Sequence, residues 1–184
     1  MISAKLVAHT TPTIAVGASN PEEFISYAAR VSNPSNQNNY DTAEGLLKYC
    51  IRNKHFSIFE MVNAVVEVKA PRDITRQMLR HRSFSFQEFS QRYSDEIEFC
   101  DREVRMQDKT NRQNSISIDD FYNGPNQFVR DCWDEDVKEI VELVKEHFKD
   151  QRKIGVAKEV ARVLLPEGLT LSTLYANGTL RSWM

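Results

Sequence analysis

The chain has 184 residues, of which 41% are hydrophobic and 27% charged, with six glycines and six prolines. That is enough for one domain with its own core, since about 150 residues bury roughly 70% of their unfolded surface, and the glycine and proline are too few for a low-complexity chain. A formal net charge of −2 excludes a molecule that is basic throughout, and no stretch approaches the roughly 20 apolar residues of a membrane helix, so no membrane association is expected.

In chain order, Ile2, Ala4, Leu6 and Ala8 alternate with Ser3, Lys5, Val7 and His9, the period of a strand with one buried face. A shorter strand is expected at 13–16. Asn20, Pro21 and Glu23 supply an N-cap, a first-turn proline and a capping-box acid for a helix carrying Phe24, Tyr27, Ala28 and Val31. Residues 32–40 read as a loop. Asp41 with Glu44 opens a second helix, whose apolar stripe is Leu46, Leu47, Cys50 and Ile51. A strand follows over 61–69 with Val62, Ala64, Val66 and Val68 on one side, and Pro71 opens a short helix bearing Ile74, Met78 and Leu79. Residues 101–117 are polar and irregular, the pattern of a mobile insertion. A long amphipathic helix is predicted over 126–152, carrying Phe128, Cys132, Val137, Ile140, Val141, Val144 and Phe148. Another runs over 156–165 and stops at Pro166, and residues 179–184 begin a last one. Strands and helices mix without strict βαβ alternation, which favours the α+β class, and nothing divides the chain, so a single domain over 1–184 is expected.

Cys50, Cys100 and Cys132 lie far apart and are odd in number. They fit free thiols in a reducing compartment better than a disulfide frame or a zinc knuckle, and no metal site is expected. Residues 1–5 lack a basic-then-apolar leader, so a cytoplasmic protein is expected.

The chemistry concentrates in residues 76–92, RQMLRHRSFSFQEFSQR. Arg76 and Arg80 are four apart and would share a helix face, where like charges repel by a few tenths of a kcal/mol. An isolated Arg80-His81-Arg82 reads most simply as a solvated basic helix end. Here Ser85, Gln87, Glu88, Ser90 and Arg92 interleave with Phe84, Phe86 and Phe89, so that aromatic residues can anchor the segment while polar groups face a cavity. Guanidinium forks grip phosphate bidentately and hydroxyls add hydrogen bonds, which describes a site for a nucleotide or a phosphate-bearing cofactor. The glycine pattern of a P-loop or a dinucleotide-binding turn is missing.

Arg80-His81-Arg82, then Ser85, then Ser90, with Gln87 and Arg92-Tyr93 in place, resembles the signature of the flavin-dependent thymidylate synthases. Four more segments resemble that family in its order. They are Ala28-Ala29-Arg30-Val31-Ser32, Lys54-His55-Phe56-Ser57-Ile58-Phe59-Glu60, Glu159-Val160-Ala161-Arg162 with Leu165-Pro166, and Gly178-Thr179-Leu180-Arg181-Ser182-Trp183.

The resemblance implies an antiparallel or mixed sheet flanked by helices, in a homotetramer with active sites shared between subunits. It implies reductive methylation of dUMP to dTMP, with methylenetetrahydrofolate as carbon donor and NADPH as reductant through bound FAD. Ser32, His55, Ser57, Glu60, Arg80, His81, Arg82, Glu88 and Arg181 fall at its FAD positions. Gln77, Arg80, Glu88, Phe89, Ser90, Gln91, Arg92 and Arg162 fall at its dUMP positions. Arg92, near the pyrimidine, would stabilise negative charge developing on the ring. Ser90 has no histidine or lysine beside it in sequence and reads as a phosphate ligand rather than a nucleophile. Gln87 stands where many members carry asparagine. The family's last helix continues past the Arg181 motif to a further dUMP-binding arginine, so the C-terminal helix is expected to be truncated at Met184.

Without the resemblance, His55 reads as a loop histidine, Glu60 as a solvated acid and Arg162 as a snorkelling surface arginine. Phe84, Phe86 and Phe89 then read as packing residues and Trp133 as core or interface. Two other functions compete. One is an inactive or fragmentary relative that still binds FAD and dUMP. The other is a single-stranded nucleic-acid module built on 76–92, which the acidic balance and the lack of a second basic stripe oppose, so no nucleic-acid partner is expected.

Overall fold

A computed structural model describes residues 2–184. Its elements in chain order are β1 (Ser3–His9), α1 (Pro21–Ala29), α2 (Ala43–Arg52), β2 (Asn63–Pro71), α3 (Arg72–Met78), β3 (Phe84–Glu88), β4 (Met106–Gln107), β5 (Ser115–Ile116), α4 (Ile118–Tyr122), α5 (Gln127–Lys153), α6 (Lys158–Ala161), β6 (Leu171–Thr179) and α7 (Leu180–Trp183). They form two compact units. One gathers Ile2, Ala70–Thr75 and Phe89–Ser172, the other Ser3–Lys69, Arg76–Glu88 and Thr173–Met184.

The second unit is organised on a four-stranded sheet of order β1-β2-β6-β3. β1 runs antiparallel to β2 from Ser3 against Lys69 to His9 against Ala64, with a register shift between Leu6 and Ala8. β3 runs antiparallel to β6 from Phe84 against Gly178 to Glu88 against Leu174. The period-two reading of β1 is right, but its buried face is not, because all seven residues are exposed. β1 is an edge strand, and neither face is covered among the described residues. β3 and β6 were missed as strands. In β6, Leu174, Ala176 and Gly178 are buried while Tyr175 and Asn177 are exposed. That alternation is hard to see in sequence because Ala176 and Gly178 carry so little apolar surface.

The core of this unit is Ile25, Leu47, Cys50, Phe59 and Val62, with Phe24, Leu46, Phe56, Ile58 and Leu180 packed on it. α1 starts as expected, with the Asn20 Oδ1 accepting from the Glu23 amide at 2.9 Å. The Glu23 carboxylate, however, accepts from the Ser19 amide and hydroxyl at 2.6 and 2.7 Å rather than closing a capping box on Asn20. The buried face of α1 is Ile25 and Ser26, and Val31 is exposed beyond the helix end. α2 is capped by Thr42 instead of Asp41, and its hydroxyl accepts from Arg30 at 2.7 Å, leaving no side-chain cap for the helix. The strand expected at 13–16 is a 3-10 turn over Ile14–Val16, closed by Gly17 at a left-handed φ of 67°. Tyr40 donates to the Val16 carbonyl and pins that turn.

In the other unit, 101–117 is ordered rather than irregular. β4 and β5 pair antiparallel, Met106 with Ile116 and Gln107 with Ser115. Asp108 closes the turn, accepting from the Thr110 amide at 2.8 Å, the Asn111 amide at 3.1 Å and the Asn114 amide group at 2.7 Å. Those bonds hold the Asp108 carboxyl well below the usual carboxylate range, the Thr110 amide contributing most. The Gln107 side-chain NH2 donates inward to the carbonyls of Asp108, Asn111, Arg112 and Asn114 at 3.2 to 3.4 Å.

α5 is capped by Asn126 and spans 27 residues, one residue later than the predicted range at each end. Its apolar stripe is mostly uncovered, with Phe148 alone fully buried and Phe128, Ile140 and Leu143 exposed. Phe148 meets Ala161 and Leu165, with Ile97, Phe99, Val144 and Val156 around them. Only the C-terminal turns of so long a helix find packing partners there. Trp133 is half-exposed, and its indole N–H donates to the Arg102 carbonyl at 2.6 Å. The helix expected over 156–165 is a single turn, α6, which tightens to 3-10 over Arg162–Leu164 before Pro166. Among the described residues no helix is long and apolar enough to cross a membrane.

Candidate functional site

In the second unit the basic tripeptide lies in the turn after α3, not on the helix. The helix ends at Met78, and the Arg80 and His81 amides donate to the Gln77 and Met78 carbonyls at 3.2 and 3.0 Å. Arg76 and Arg80 therefore do not share a helix face. Neither Arg80 nor Arg82 forms an ion pair among the described residues, and both are exposed with His81. Two guanidinium groups without carboxylate partners in one turn have the chemistry to receive an anion.

The turn is built against an aromatic group. The His81 ring stands edge-on to Phe84 at 6.2 Å, Phe84 stacks on Phe86 at 5.9 Å, and Trp183 meets Phe84 edge-on at 4.6 Å. Gly178, paired with Phe84, makes room for that ring. With Met78 these rings border a cavity of about 210 Å³. α7 closes it. Its Thr179 cap accepts from the Ser182 amide, Ser182 donates to the Ser83 carbonyl at 3.1 Å, and the Trp183 indole donates to the Ala64 carbonyl at 3.3 Å. Strand geometry corrects one expectation here. Phe84, Phe86 and Glu88 share one half-buried face of β3, whereas Ser85 and Gln87 are exposed on the other. Glu88 therefore lies on the aromatic side, apart from the serine and the amide.

The remaining candidates of this unit sit at the end of α2 and the 3-10 turn after it, Phe56–Met61. Lys54 adopts φ 60°, its amide donating to Ile51 and the His55 amide to Cys50 at 3.1 and 2.8 Å. This is the paired-bond cap that usually takes glycine, here with lysine at the left-handed position. It fixes the backbone of His55, whose ring stands edge-on to Tyr49 at 6.0 Å. Glu60 and Arg181 are brought together as an ion pair. Ser32, His55 and Ser57 are exposed, and among the described residues their side chains make no hydrogen bond. Arg30, in the same motif as Ser32, is buried and donates to the Asn39 carbonyl and the Thr42 hydroxyl. Its work is to tie α1 to the loop before α2.

Phe89, Ser90, Gln91, Arg92 and Arg162 belong to the first unit. Phe89 is exposed, at 37% of its surface. Gln91 is the buried residue of the segment, and its Oε1 accepts from Arg72 at 3.0 Å. The Ser90 hydroxyl accepts from the Arg92 amide at 3.3 Å, and among the described residues no base is hydrogen-bonded to it. Arg92 pairs with Glu159 at 3.3 Å, and Arg162 donates from Nε to the Glu159 carbonyl at 3.1 Å.

Sequence reasoning missed what secures this segment. Asp95 accepts from Arg152 at 2.6 Å and pairs with Lys158 at 3.2 Å, and Lys158 also donates to the Tyr93 carbonyl at 3.1 Å. The Arg152 guanidinium, with Lys158 beside it, holds the Asp95 carboxyl below its ordinary value. Nothing in the spacing of residues 95, 152 and 158 announces that staple. Cys50 and Cys100 are buried and Cys132 is exposed, all three as free thiols. Burial pushes the Cys50 and Cys100 thiols up, away from the thiolate that a nucleophile needs.

The family model for the thymidylate synthase complementing protein matches residues 5–184. A probable flavin-dependent thymidylate synthase of Paramecium bursaria Chlorella virus 1 is 45% identical over 187 residues, covering 100% of this chain and 82% of the relative. The flavin-dependent thymidylate synthase of a Synechocystis species is 40% identical over 186 residues, with the same coverage of both. Among solved structures, a UMP/dUMP methylase, PolB, from Streptomyces cacaoi bound with 5-Br dUMP is similar with a TM-score of 0.73 at 28% identity, over 99% of this chain and 74% of that one. The same protein bound with 5-Br UMP gives 0.75 at 26% identity, over 99% and 73%.

Proposed function

The chain belongs to the thymidylate synthase complementing protein family, that of the flavin-dependent thymidylate synthases, and from that membership we propose that it methylates dUMP reductively to dTMP. The observation that carries this is the likeness to relatives of that name over the whole chain, at 45 and 40% identity. Methylenetetrahydrofolate donates the carbon, NADPH is the reductant, and the flavin is FAD. The working form is a homotetramer in the cytoplasm, its active sites shared between subunits.

The donor set fits a flavin dinucleotide. Arg80 and Arg82, unpaired among the described residues, suit its diphosphate, and His81 borders the aromatic cavity beside them. Ser32, His55, Ser57, Glu60, Glu88 and Arg181 complete that set. When bound, the flavin supplies the hydride chemistry, and the protein supplies orientation and electrostatics.

Gln77, Arg80, Glu88, Phe89, Ser90, Gln91, Arg92 and Arg162 receive dUMP, a phosphate monoester whose charge suits arginine and hydroxyl ligands. Arg92 stabilises negative charge that develops on the pyrimidine, which makes the ring carbon a better nucleophile toward the one-carbon unit. The Ser90 hydroxyl, oriented by the Arg92 amide, acts as a ligand. No cysteine serves as a covalent catalyst, which accords with the burial of Cys50 and Cys100.

The test is a visible spectrum of the purified protein, followed by anaerobic assay of dTMP formation from dUMP, with UMP run in parallel. A flavin spectrum and dTMP that depends on methylenetetrahydrofolate and NADPH are expected. A colourless protein that neither binds nor converts dUMP would end the proposal.

A further inference from the structure

Two arginines assigned to the nucleotide, Arg92 and Arg162, meet at one residue that no role has yet claimed. The Glu159 carboxylate pairs with the Nε of Arg92 at 3.3 Å, and the Glu159 main-chain carbonyl accepts from the Nε of Arg162 at 3.1 Å. Among the described residues these are the only ion pair and the only side-chain hydrogen bond that the two arginines make. Each guanidinium meets Glu159 through its inner nitrogen, and among the described residues its two terminal amino groups make no hydrogen bond. That is the fork through which arginine grips an oxyanion bidentately.

We propose that Glu159 is a positioning residue of the dUMP site, orienting Arg92 through its carboxylate and Arg162 through its backbone. The inference rests on the nucleotide reading above. Charge supports it. Two guanidinium groups brought to the ends of one glutamate repel each other, and the carboxylate between them offsets that repulsion. The trio keeps one net positive charge, which suits a phosphate monoester of charge about −1.5 to −2. The fold supports it as well. Glu159 stands in the first turn of the one-turn α6, and the chain tightens to 3-10 at Arg162, so the carbonyl of 159 and the side chain of 162 fall on one side of that turn. The neighbouring residue, Lys158, is itself tied to Asp95 and to the Tyr93 carbonyl, which holds α6 against the segment that carries Arg92.

Removing the carboxylate has two opposed effects, and they decide the matter. If Glu159 merely adds negative charge near the nucleotide, its loss strengthens binding of a dianion. If it positions Arg92, its loss weakens binding. The experiment is calorimetric titration of the flavin-loaded full chain with dUMP, on wild type, Glu159→Gln and Glu159→Asp. The arginine Nε–H signals are followed by NMR on the same samples.

Glu159→Gln is expected to bind dUMP roughly fivefold more weakly, the upper end for an exposed ion pair, and to broaden the Arg92 Nε–H signal while sparing that of Arg162. Glu159→Asp, which keeps the charge and the carbonyl, should return affinity to within about twofold of wild type, with flavin content unchanged in all three. Equal or tighter binding by Glu159→Gln overturns the positioning role, as does an unmoved Arg92 signal. A wild-type chain that ignores dUMP overturns the nucleotide role and the functional reading beneath it. An intact Nε–H response in those samples then locates the failure in that reading rather than in the arginine geometry.

Discussion

Gly178→Ala tests whether the aromatic group behind the basic turn is as closely fitted as its distances say. Gly178 is buried in β6 opposite Phe84, and a Cβ built there would lie 2.5 Å from Phe84 Cδ1, 2.6 Å from Cε1 and 3.3 Å from the Ser182 Cβ. Carbon pairs are comfortable at about 3.5 to 4.0 Å, so the Phe84 ring must retreat by roughly 1 Å. It has little room, because Trp183 meets it edge-on at 4.6 Å and Trp183 is tethered to the Ala64 carbonyl. Overpacking of this kind costs about 1–3 kcal/mol, and in a chain of this length each kcal/mol moves the melting temperature by about 2–4 °C. The variant should therefore melt about 2–12 °C lower by circular dichroism. Gly45→Ala is the control. Gly45 lies inside α2 with nothing within 4 Å of the added methyl, so that change should raise stability by about 0.5–1 kcal/mol. A Gly178→Ala melting curve that overlays wild type would refute the fit described for this wall of the cavity.

Other outcomes follow from the same geometry. Lys54→Gly removes a left-handed non-glycine residue from the α2 cap and should stabilise the chain by up to about 1 kcal/mol in urea titration, with no loss of flavin. Asp95→Asn should lower the melting temperature at pH 7. Because the folded Asp95 carboxyl titrates below its ordinary value, its contribution is present above about pH 4 and is lost as pH falls through the folded value. The gap between wild type and variant should therefore close on acidification, and a gap constant down to pH 3 would contradict the staple. Arg92→Ala should keep its flavin yet lower turnover on the order of a hundredfold, and Arg80→Ala should weaken both flavin retention and dUMP binding, each read from the visible spectrum and the dTMP assay.

Much of this architecture can be read from residue order, and the failures share a cause. The cap at Asn20 lies where the pattern puts it, whereas the one expected at Asp41 falls to Thr42, whose hydroxyl is taken up by Arg30. Faces that depend on a neighbour depart from the pattern as well. β1 alternates as a half-buried strand should, yet sits at an edge, and α5 carries a full apolar stripe of which only the end at Phe148 is buried. β3 alternates aromatic with polar residues, a pattern that a strand shares with a ligand-facing loop, so its residues do not announce a strand. The tripeptide Arg80-His81-Arg82 stands out in sequence as a run of like charge, and among the described residues neither of its arginines forms an ion pair. The role of Asp95 was not legible, since its partners lie 57 and 63 positions away.

In the hairpin at 106–116 four carbonyl oxygens converge on the side-chain NH2 of Gln107. The weakness of that arrangement is chemical ageing. Deamidation at this position would replace the donor with a carboxylate facing those same oxygens, acceptor against acceptor, and spring the turn open. A Gln107→Glu variant, the product of that change, should become susceptible to protease between Asp108 and Asn114 while the rest of the chain stays folded.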